Sequence, residues 1–120
     1  MPDLFSLGKF VSHSGRTLDY KINCDVLTDG DLAWVAFMIS EHFRDIGSVI
    51  GIPRGGTRLA NALQKYQSTK GIMLLVDDVL TTGNSMEKAR IQYPHALGAV
   101  IFARGPCQDW VWPVWRLSGD

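Results

Sequence analysis

The sequence predicts an α/β fold in which a parallel sheet is flanked by helices. Three short apolar runs, at residues 48–52, 71–76 and 97–103, are rich in Val, Ile and Leu and are typical of buried strands. Segments with helical spacing of apolar residues precede the first run and separate the three from one another. Strands that alternate with helices in this way form a parallel sheet with right-handed crossovers.

Each remaining element follows from local signals. Residues 9–12 and 18–24 flank a Gly-containing turn at 13–17, which predicts a small hairpin or flap. A capping box begins at Thr28, and a helix up to about Gly47 is indicated by the apolar spacing of Leu32, Val35, Ala36, Ile39 and Phe43. Further helices are expected from Leu59 to about Tyr66 and from about Ser85 to Tyr93. The Trp-rich tail, with Trp110, Trp112 and Trp115, contains Pro113 and therefore predicts an edge strand.

Length and composition limit the function classes. We expect the 120 residues to form a single domain, with a flap at 1–27, an α/β core at 28–104 and a tail at 105–120. Twelve basic and twelve acidic residues give zero net charge, which argues against nucleic-acid and membrane partners. No apolar stretch has the ~20 residues of a membrane span, so we expect a cytoplasmic protein. Cys24 and Cys107 are too few for a disulfide framework and are expected to be reduced, buried thiols.

The most informative segment joins an apolar strand to a small, hydroxyl-rich turn. Asp77 and Asp78 follow the strand, and the turn before the next helix contains Thr81, Thr82, Gly83, Asn84 and Ser85. Such a turn presents backbone N–H groups and the positive end of a helix dipole, which together suit a phosphate. The two carboxylates suit sugar hydroxyls or a hydrated Mg²⁺. The alternative is an acidic pocket of another α/β class, such as a receiver domain. A receiver domain also needs a phosphoacceptor Asp and a Lys at other strand ends, and this sequence lacks that pair there.

A second loop, Pro53, Arg54, Gly55 and Gly56, also lies between a strand and a helix. Arg54 offers bidentate contacts to phosphate oxygens, and the glycines leave the backbone amides accessible. In isolation this loop is an ordinary turn.

Residues 74–85 closely resemble the phosphoribosyl-pyrophosphate (PRPP) signature of the type I phosphoribosyltransferases, and residues 50–57 resemble the pyrophosphate loop of that family. The resemblance implies a compact, Rossmann-like phosphoribosyltransferase fold. It also implies that residues 81–85 bind the 5-phosphate, that residues 53–56 bind pyrophosphate, and that Asp77, Asp78 and Arg54 serve catalysis. In this family the peptide of the pyrophosphate loop is often strained or cis. Mg²⁺ would be held mainly by PRPP and water, with Asp77 or Asp78 as the side chains that could contact it, and a homodimer is expected.

Residues 8–23 resemble the N-terminal hood of orotate phosphoribosyltransferases. The resemblance implies base contacts from His13, Ser14, Gly15 and Arg16, and from Arg104 near the end of the last core strand. A solvent-facing Arg104 is the alternative. His13 stands where that family usually has a Lys. The tail resembles the aromatic strand of xanthine-guanine phosphoribosyltransferases, so a purine base is the second candidate, although the tryptophans could equally pack in the core or at a dimer contact.

One segment departs from the family pattern. Between Gly56 and Leu74 the family has a helix, a strand and a long basic loop that closes over the reacting centre, and this sequence has room for the helix alone. Lys9, Arg16, Lys21 or a second subunit could replace that loop. The expected function is therefore phosphoribosyl transfer from PRPP to a nucleobase, with orotate favoured, and the alternative is a PRPP- or nucleotide-binding regulatory protein that has lost turnover.

Overall fold

The computed structural model describes residues 3–11 and 17–117 and contains a four-stranded parallel sheet. Its strands are β3 (Ile46–Gly51), β4 (Ile72–Leu80), β5 (Leu97–Ala103) and β6 (Val111–Arg116), and they lie in that order across the sheet. The α/β class with a parallel sheet is confirmed. Pro113 lies in β6, which is an edge strand as predicted, because among the described strands it pairs with β5 alone.

The N-terminal segment forms a separate antiparallel hairpin. Strands β1 (Phe5–Val11) and β2 (Thr17–Ile22) pair with each other, and their register shifts between Leu7 and Phe10. The predicted hairpin is confirmed, while its turn at 12–16 lies outside the described residues. A short 3₁₀ turn at Cys24–Val26 then leads into the core.

Three helices cover the sheet. Helix α1 (Asp29–Phe43) begins at the predicted capping box, in which the Asp31 N–H donates to Thr28 Oγ1 at 3.0 Å and the Thr28 N–H donates to Asp31 Oδ2 at 2.8 Å. Helix α2 (Thr57–Leu63) continues into a 3₁₀ turn at Gln64–Tyr66. Helix α3 is Asn84–Gln92, and Gly83 is its N-cap.

The core has one layer on each face of the sheet. Helices α1 and α2 bury Leu32, Val35, Leu59 and Leu63 against one face, and α3 buries Met86 against the other. Helix α2 connects β3 to its neighbour β4, and α3 connects β4 to its neighbour β5, so both connections run in the same direction across the sheet. Because they do so on opposite faces, they have opposite hands. The prediction of right-handed crossovers throughout is therefore wrong for one of the two.

Two details differ from the sequence-based expectations. Strand β4 extends to Leu80, so Asp77 and Asp78 lie within the strand rather than between the strand and the turn, because this part of the chain still pairs with β5. Cys24 and Cys107 are free thiols but only half-buried, since both lie in connecting segments outside the sheet. Among the described residues, no helix has the length and apolar character that a membrane crossing requires.

Candidate functional site

Asp77 and Asp78 lie near the carboxyl end of β4, where a parallel sheet places its ligands. Asp77 is 8% exposed, and its Oδ1 accepts a hydrogen bond from the Asp78 N–H at 2.8 Å. Asp78 Oδ1 accepts from the Val79 N–H at 2.7 Å. Each carboxylate is thus fixed by one oxygen to the strand backbone, which leaves its second oxygen free of these backbone bonds.

The environment of this pair favours one bound proton. The pKa of Asp77 is raised to about 8, first by burial, then by the negative charge of Asp78 and by a hydrogen bond between the two side chains, while the backbone bond from Asp78 lowers it. Two close carboxylates at a buried strand end cannot both ionise without cost. A group that donates hydrogen bonds or brings positive charge would therefore stabilise the ionised pair.

The predicted phosphate-binding turn forms an open cleft of about 480 Å³. Its lining includes Asp77, all of residues 81–85 and Lys88 of α3. Gly83 has a φ of 85°, in the left-handed region that favours glycine, and its carbonyl accepts the first helical bond from the Glu87 N–H at 3.0 Å. The cleft therefore combines the N-terminus of α3, hydroxyl side chains and the Lys88 ammonium group, which suit a phosphate, with the Glu87 carboxylate, which does not.

The Pro53–Gly56 loop lies beside the acid pair. Gly51 of β3 pairs with Val76 of β4, so the loop that follows β3 begins level with Asp77. The Pro53–Arg54 peptide is cis. A Cβ added at Gly55 would overlap the Asp78 carboxylate, and one added at Gly56 would overlap the Val76 carbonyl oxygen. Because a side chain would not fit at either position, both residues must be glycine. The same close approaches place the Pro53–Gly56 loop beside the acid pair, so the two predicted motifs lie together.

Arg54 is exposed at the tip of this loop and does not line the cleft beside α3. The backbone around it is fixed, because the Gly56 N–H donates to the Ile52 carbonyl at 2.8 Å and the Thr57 N–H donates to the Arg54 carbonyl at 3.2 Å. The loop that carries Arg54 thus lies next to Asp78, whereas Asp77 lines the cleft beside α3.

Arg104 follows β5 and is 1% exposed, so the alternative of a solvent-facing side chain is wrong. Its guanidinium carbon lies 3.6 Å from the centre of the Tyr20 ring, and its Nη1 donates to the Tyr20 carbonyl at 2.5 Å. It therefore connects the end of β5 to the hairpin. The predicted base contacts at His13, Ser14, Gly15 and Arg16 lie outside the described residues.

The tryptophans of the tail pack against the protein. Trp112 stacks on His42 of α1 with ring centres 4.0 Å apart, and Trp115 stacks on Phe102 at 5.4 Å. Trp110 lies under the Arg90 guanidinium at 4.3 Å. Core packing, one of the roles considered for these rings, accounts for Trp112 in particular.

Two residues near the site carried no signal in the sequence. The pKa of Cys24 is raised to about 12, by burial first and then by the negative charges of Asp78, Asp25 and Asp77. Gln108 contacts Gly83 from the connection between β5 and β6. Both reach the site only through tertiary folding, so no local motif could have identified them.

The acid pair offers carboxylate oxygens of the kind that Mg²⁺ binds. Within residues 3–11 and 17–117, no group of three or more His, Cys, Asp or Glu side chains could enclose a metal. The carboxylates of Asp77 and Asp78 keep one oxygen each beyond their backbone bonds. Mg²⁺ is commonly bound through one or two carboxylates together with substrate phosphates and water.

Comparisons with known proteins bear on this geometry. The sequence matches no family model and no curated protein. Among solved structures, the orotate phosphoribosyltransferase of Aeropyrum pernix superimposes with a TM-score of 0.74 at 19% identity, over 95% of this chain and 88% of the other. The protein has the fold of the type I phosphoribosyltransferases.

Other structures with the phosphoribosyltransferase fold agree. UMP synthase of Leishmania donovani superimposes with a TM-score of 0.75 at 16% identity over 95% of this chain, which spans only 34% of that longer protein. A xanthine-guanine-hypoxanthine phosphoribosyltransferase of Helicobacter pylori matches with a TM-score of 0.52 at 15% identity, over 72% of this chain and 83% of the other. At such identities the likeness concerns the fold.

Proposed function

We propose that the protein is a phosphoribosyltransferase that transfers the 5-phosphoribosyl group of PRPP to a nucleobase, with orotate as the favoured base. The observation that carries this proposal is the junction of β4 with α3. There, an acid pair with Asp77 buried leads into a turn that combines a helix N-terminus, Thr and Ser hydroxyls and a left-handed Gly83 in one cleft. The phosphoribosyltransferase fold supports the same conclusion.

In this reaction a ring nitrogen of the base forms a bond to C1 of the ribose, and the bond from C1 to the pyrophosphate oxygen breaks. Residues 81–85 would bind the 5-phosphate and so fix the ribose relative to the acid pair. Asp77 and Asp78 would accept hydrogen bonds from the ribose hydroxyls and stabilise the positive charge that develops at the sugar. Arg54, from the loop beside Asp78, would bind the departing pyrophosphate. Mg²⁺ bound with PRPP would supply further charge neutralisation of the pyrophosphate.

Orotate is favoured over a purine because of the hairpin. Arg104 lies at the carboxyl end of β5, where its guanidinium contacts β2 through Tyr20. A base carboxylate would pair with this cation once the hairpin moves aside, because Tyr20 covers the guanidinium in this structure. The tail tryptophans that motivated the purine alternative instead have partners within the protein.

The decisive experiment measures pyrophosphate release. The protein is incubated with PRPP, Mg²⁺ and, in separate reactions, orotate, uracil, xanthine, guanine, hypoxanthine or adenine. We expect release with orotate, loss of release in Asp78→Asn, and little change in Asp45→Asn, which alters an exposed carboxylate at the amino end of β3. Release with a purine alone would replace orotate by that base.

Binding of PRPP without turnover is the second candidate, and one observation favours it. Between α2 and β4 the chain forms only the 3₁₀ turn Gln64–Tyr66 and a short connection, so these residues provide no loop long enough to cover the cleft. A covering loop excludes water and completes charge stabilisation during transfer. Saturable PRPP binding in calorimetry, with no pyrophosphate released for any base, would establish this role.

Residues of a second subunit could complete the site, and we propose a homodimer on the basis of this open cleft. Lys21 of β2 is exposed and is one of the three hairpin cations, with Lys9 and Arg16, that could replace the covering loop. Sedimentation would reveal the dimer. Unchanged turnover after alanine substitution of Lys9, Arg16 and Lys21 would exclude these three side chains.

A further inference from the structure

Gln108 lies behind the phosphate-binding turn, on a connection that the proposed function does not use. This connection returns from the carboxyl end of β5 to the start of β6 without a helix. It is anchored on both sides of Trp110, because the Gly98 N–H donates to the Trp110 carbonyl at 2.8 Å and the Val111 N–H donates to the Gln108 carbonyl at 3.0 Å. Gln108 is therefore held in place by the edge of the sheet.

The side chain of Gln108 contacts Gly83 directly. Its Nε2 donates a hydrogen bond to the Gly83 carbonyl at 3.1 Å, so this oxygen receives both Gln108 and the first helical N–H of α3. A Cβ added at Gly83 would overlap the Gln108 amide. Gln108 does not line the cleft, whereas Gly83 does. The amide thus supports the turn from the side opposite to the ligand.

The second polar atom of this amide is unusual. Gln108 Oε1 is buried and has no hydrogen-bond partner within residues 3–11 and 17–117. A side chain that served only to fill this space could be apolar, since a buried oxygen without a partner is unfavourable. Exchanging the amide oxygen and nitrogen would place two oxygens against each other at Gly83. The hydrogen bond to Gly83 is therefore the interaction that a glutamine, rather than a methionine, provides here.

We propose that Gln108 is a positioning residue that holds Gly83 in its left-handed conformation, so that the N–H groups at the start of α3 point into the phosphate cleft. This inference rests on the proposed PRPP site but not on turnover. The β5–β6 connection thereby has a role, because it carries Gln108, and the Gln108 side chain fixes the geometry of the proposed phosphate site. The carbonyl of Gly83 would otherwise be held by a single helical bond at a fraying end.

The test compares binding of PRPP with Mg²⁺ by calorimetry in three variants of the full chain. Gln108→Met keeps the size of the side chain and removes the donor, whereas Gln108→Glu replaces the donor by a carboxylate facing the Gly83 carbonyl. Gln92→Met makes the same change as the first variant at the exposed end of α3 and is the control. Thermal melts and the amide NMR signals of Gly83 and Asn84 are recorded for each protein.

We expect Gln108→Met to weaken PRPP binding by about five- to tenfold, the effect of losing one hydrogen bond, and Gln108→Glu to weaken it further. Where turnover occurs, KM for PRPP should rise while kcat changes little, because the 5-phosphate is remote from the reacting carbon. Equal binding by wild type and both Gln108 variants, or a loss of stability without a loss of affinity, overturns the proposal. PRPP binding that depends on Gln108 in a protein without turnover refutes the transferase and supports the positioning role.

Discussion

Replacing Gly83 by alanine should damage both the fold and the proposed phosphate site. Gly83 has a φ of 85°, a conformation that an alanine adopts only with strain. The added methyl group would also overlap the Gln108 amide, the end of a flexible side chain that could move away. That movement would break the hydrogen bond from Gln108 Nε2 to the Gly83 carbonyl.

The size of the effect follows from these two contributions. The left-handed conformation costs an alanine about 1–2 kcal/mol, and the lost hydrogen bond adds about 1 kcal/mol. A total of about 2–3 kcal/mol should lower the melting temperature by about 10 °C in a domain of this size. Phosphate affinity should fall as well, since the same change tilts the N–H groups at the start of α3.

Urea and thermal unfolding of Gly83→Ala, with calorimetric titration of PRPP, measure both effects. Gly30→Ala is the matched control. Its Cβ would meet only Thr28 Oγ1, at an ordinary 3.7 Å, and an alanine in α1 should stabilise the helix by up to about 1 kcal/mol. Wild-type stability and wild-type affinity in Gly83→Ala would refute the assigned geometry of the turn.

Three further changes test other parts of the structure. Raising the pH from about 4 to about 8 should lower the free energy of unfolding of the wild type, because folded Asp77 retains a proton that the unfolded chain releases. Urea titrations at several pH values measure this dependence, and it should be weaker in Asp77→Asn. Trp112→Ala should cost about 3 kcal/mol in the same assay, because the ring stacks on His42 and packs against α1; a loss below about 1 kcal/mol would contradict this packing. Gln67→Ala should cost about 1 kcal/mol and promote self-association in light scattering, because it uncovers the Val49 N–H on the free edge of β3; unchanged stability and monodispersity would contradict this role.

The elements with strong local signals could be predicted from the sequence. The capping box at Thr28, the third core strand at 97–103 and the edge position of the strand containing Pro113 all agree with the structure. The end of β4 was predicted too early, because Asp residues are rare in strands and pairing with β5 overrides that preference.

The candidate site was only partly predictable. The phosphate turn and the glycine loop each form a contiguous motif, so their residues could be named. Burial of Arg104 against Tyr20 and the approach of Gln108 to Gly83 join residues far apart in sequence. Such contacts depend on where the hairpin and the β5–β6 connection fold back, and no local pattern encodes that.

The crossovers from β3 to β4 through α2 and from β4 to β5 through α3 have opposite hands, and the position of β3 at the edge of the sheet explains this difference. A connection through α2 would have the same hand as the one through α3 only if it led to a strand on the outer side of β3, away from β4. The segment after α2 does reach that outer edge, where Gln67 Oε1 accepts from the Val49 N–H at 2.7 Å and the Ser68 N–H donates to the Ile46 carbonyl at 3.1 Å. It covers the edge without forming a strand.

The chain then returns beneath β3 to reach β4. At this crossing Gly71 has a φ of 128°, and a Cβ on either Gly47 or Gly71 would overlap the backbone of the other segment. The crossing therefore requires glycine at both positions. A further strand outside β3 would remove the need for this crossing, because α2 would then lead into that strand. In this chain residues 64–71 form only a 3₁₀ turn and the segment along the edge of β3, so they provide no loop to cover the cleft beside α3.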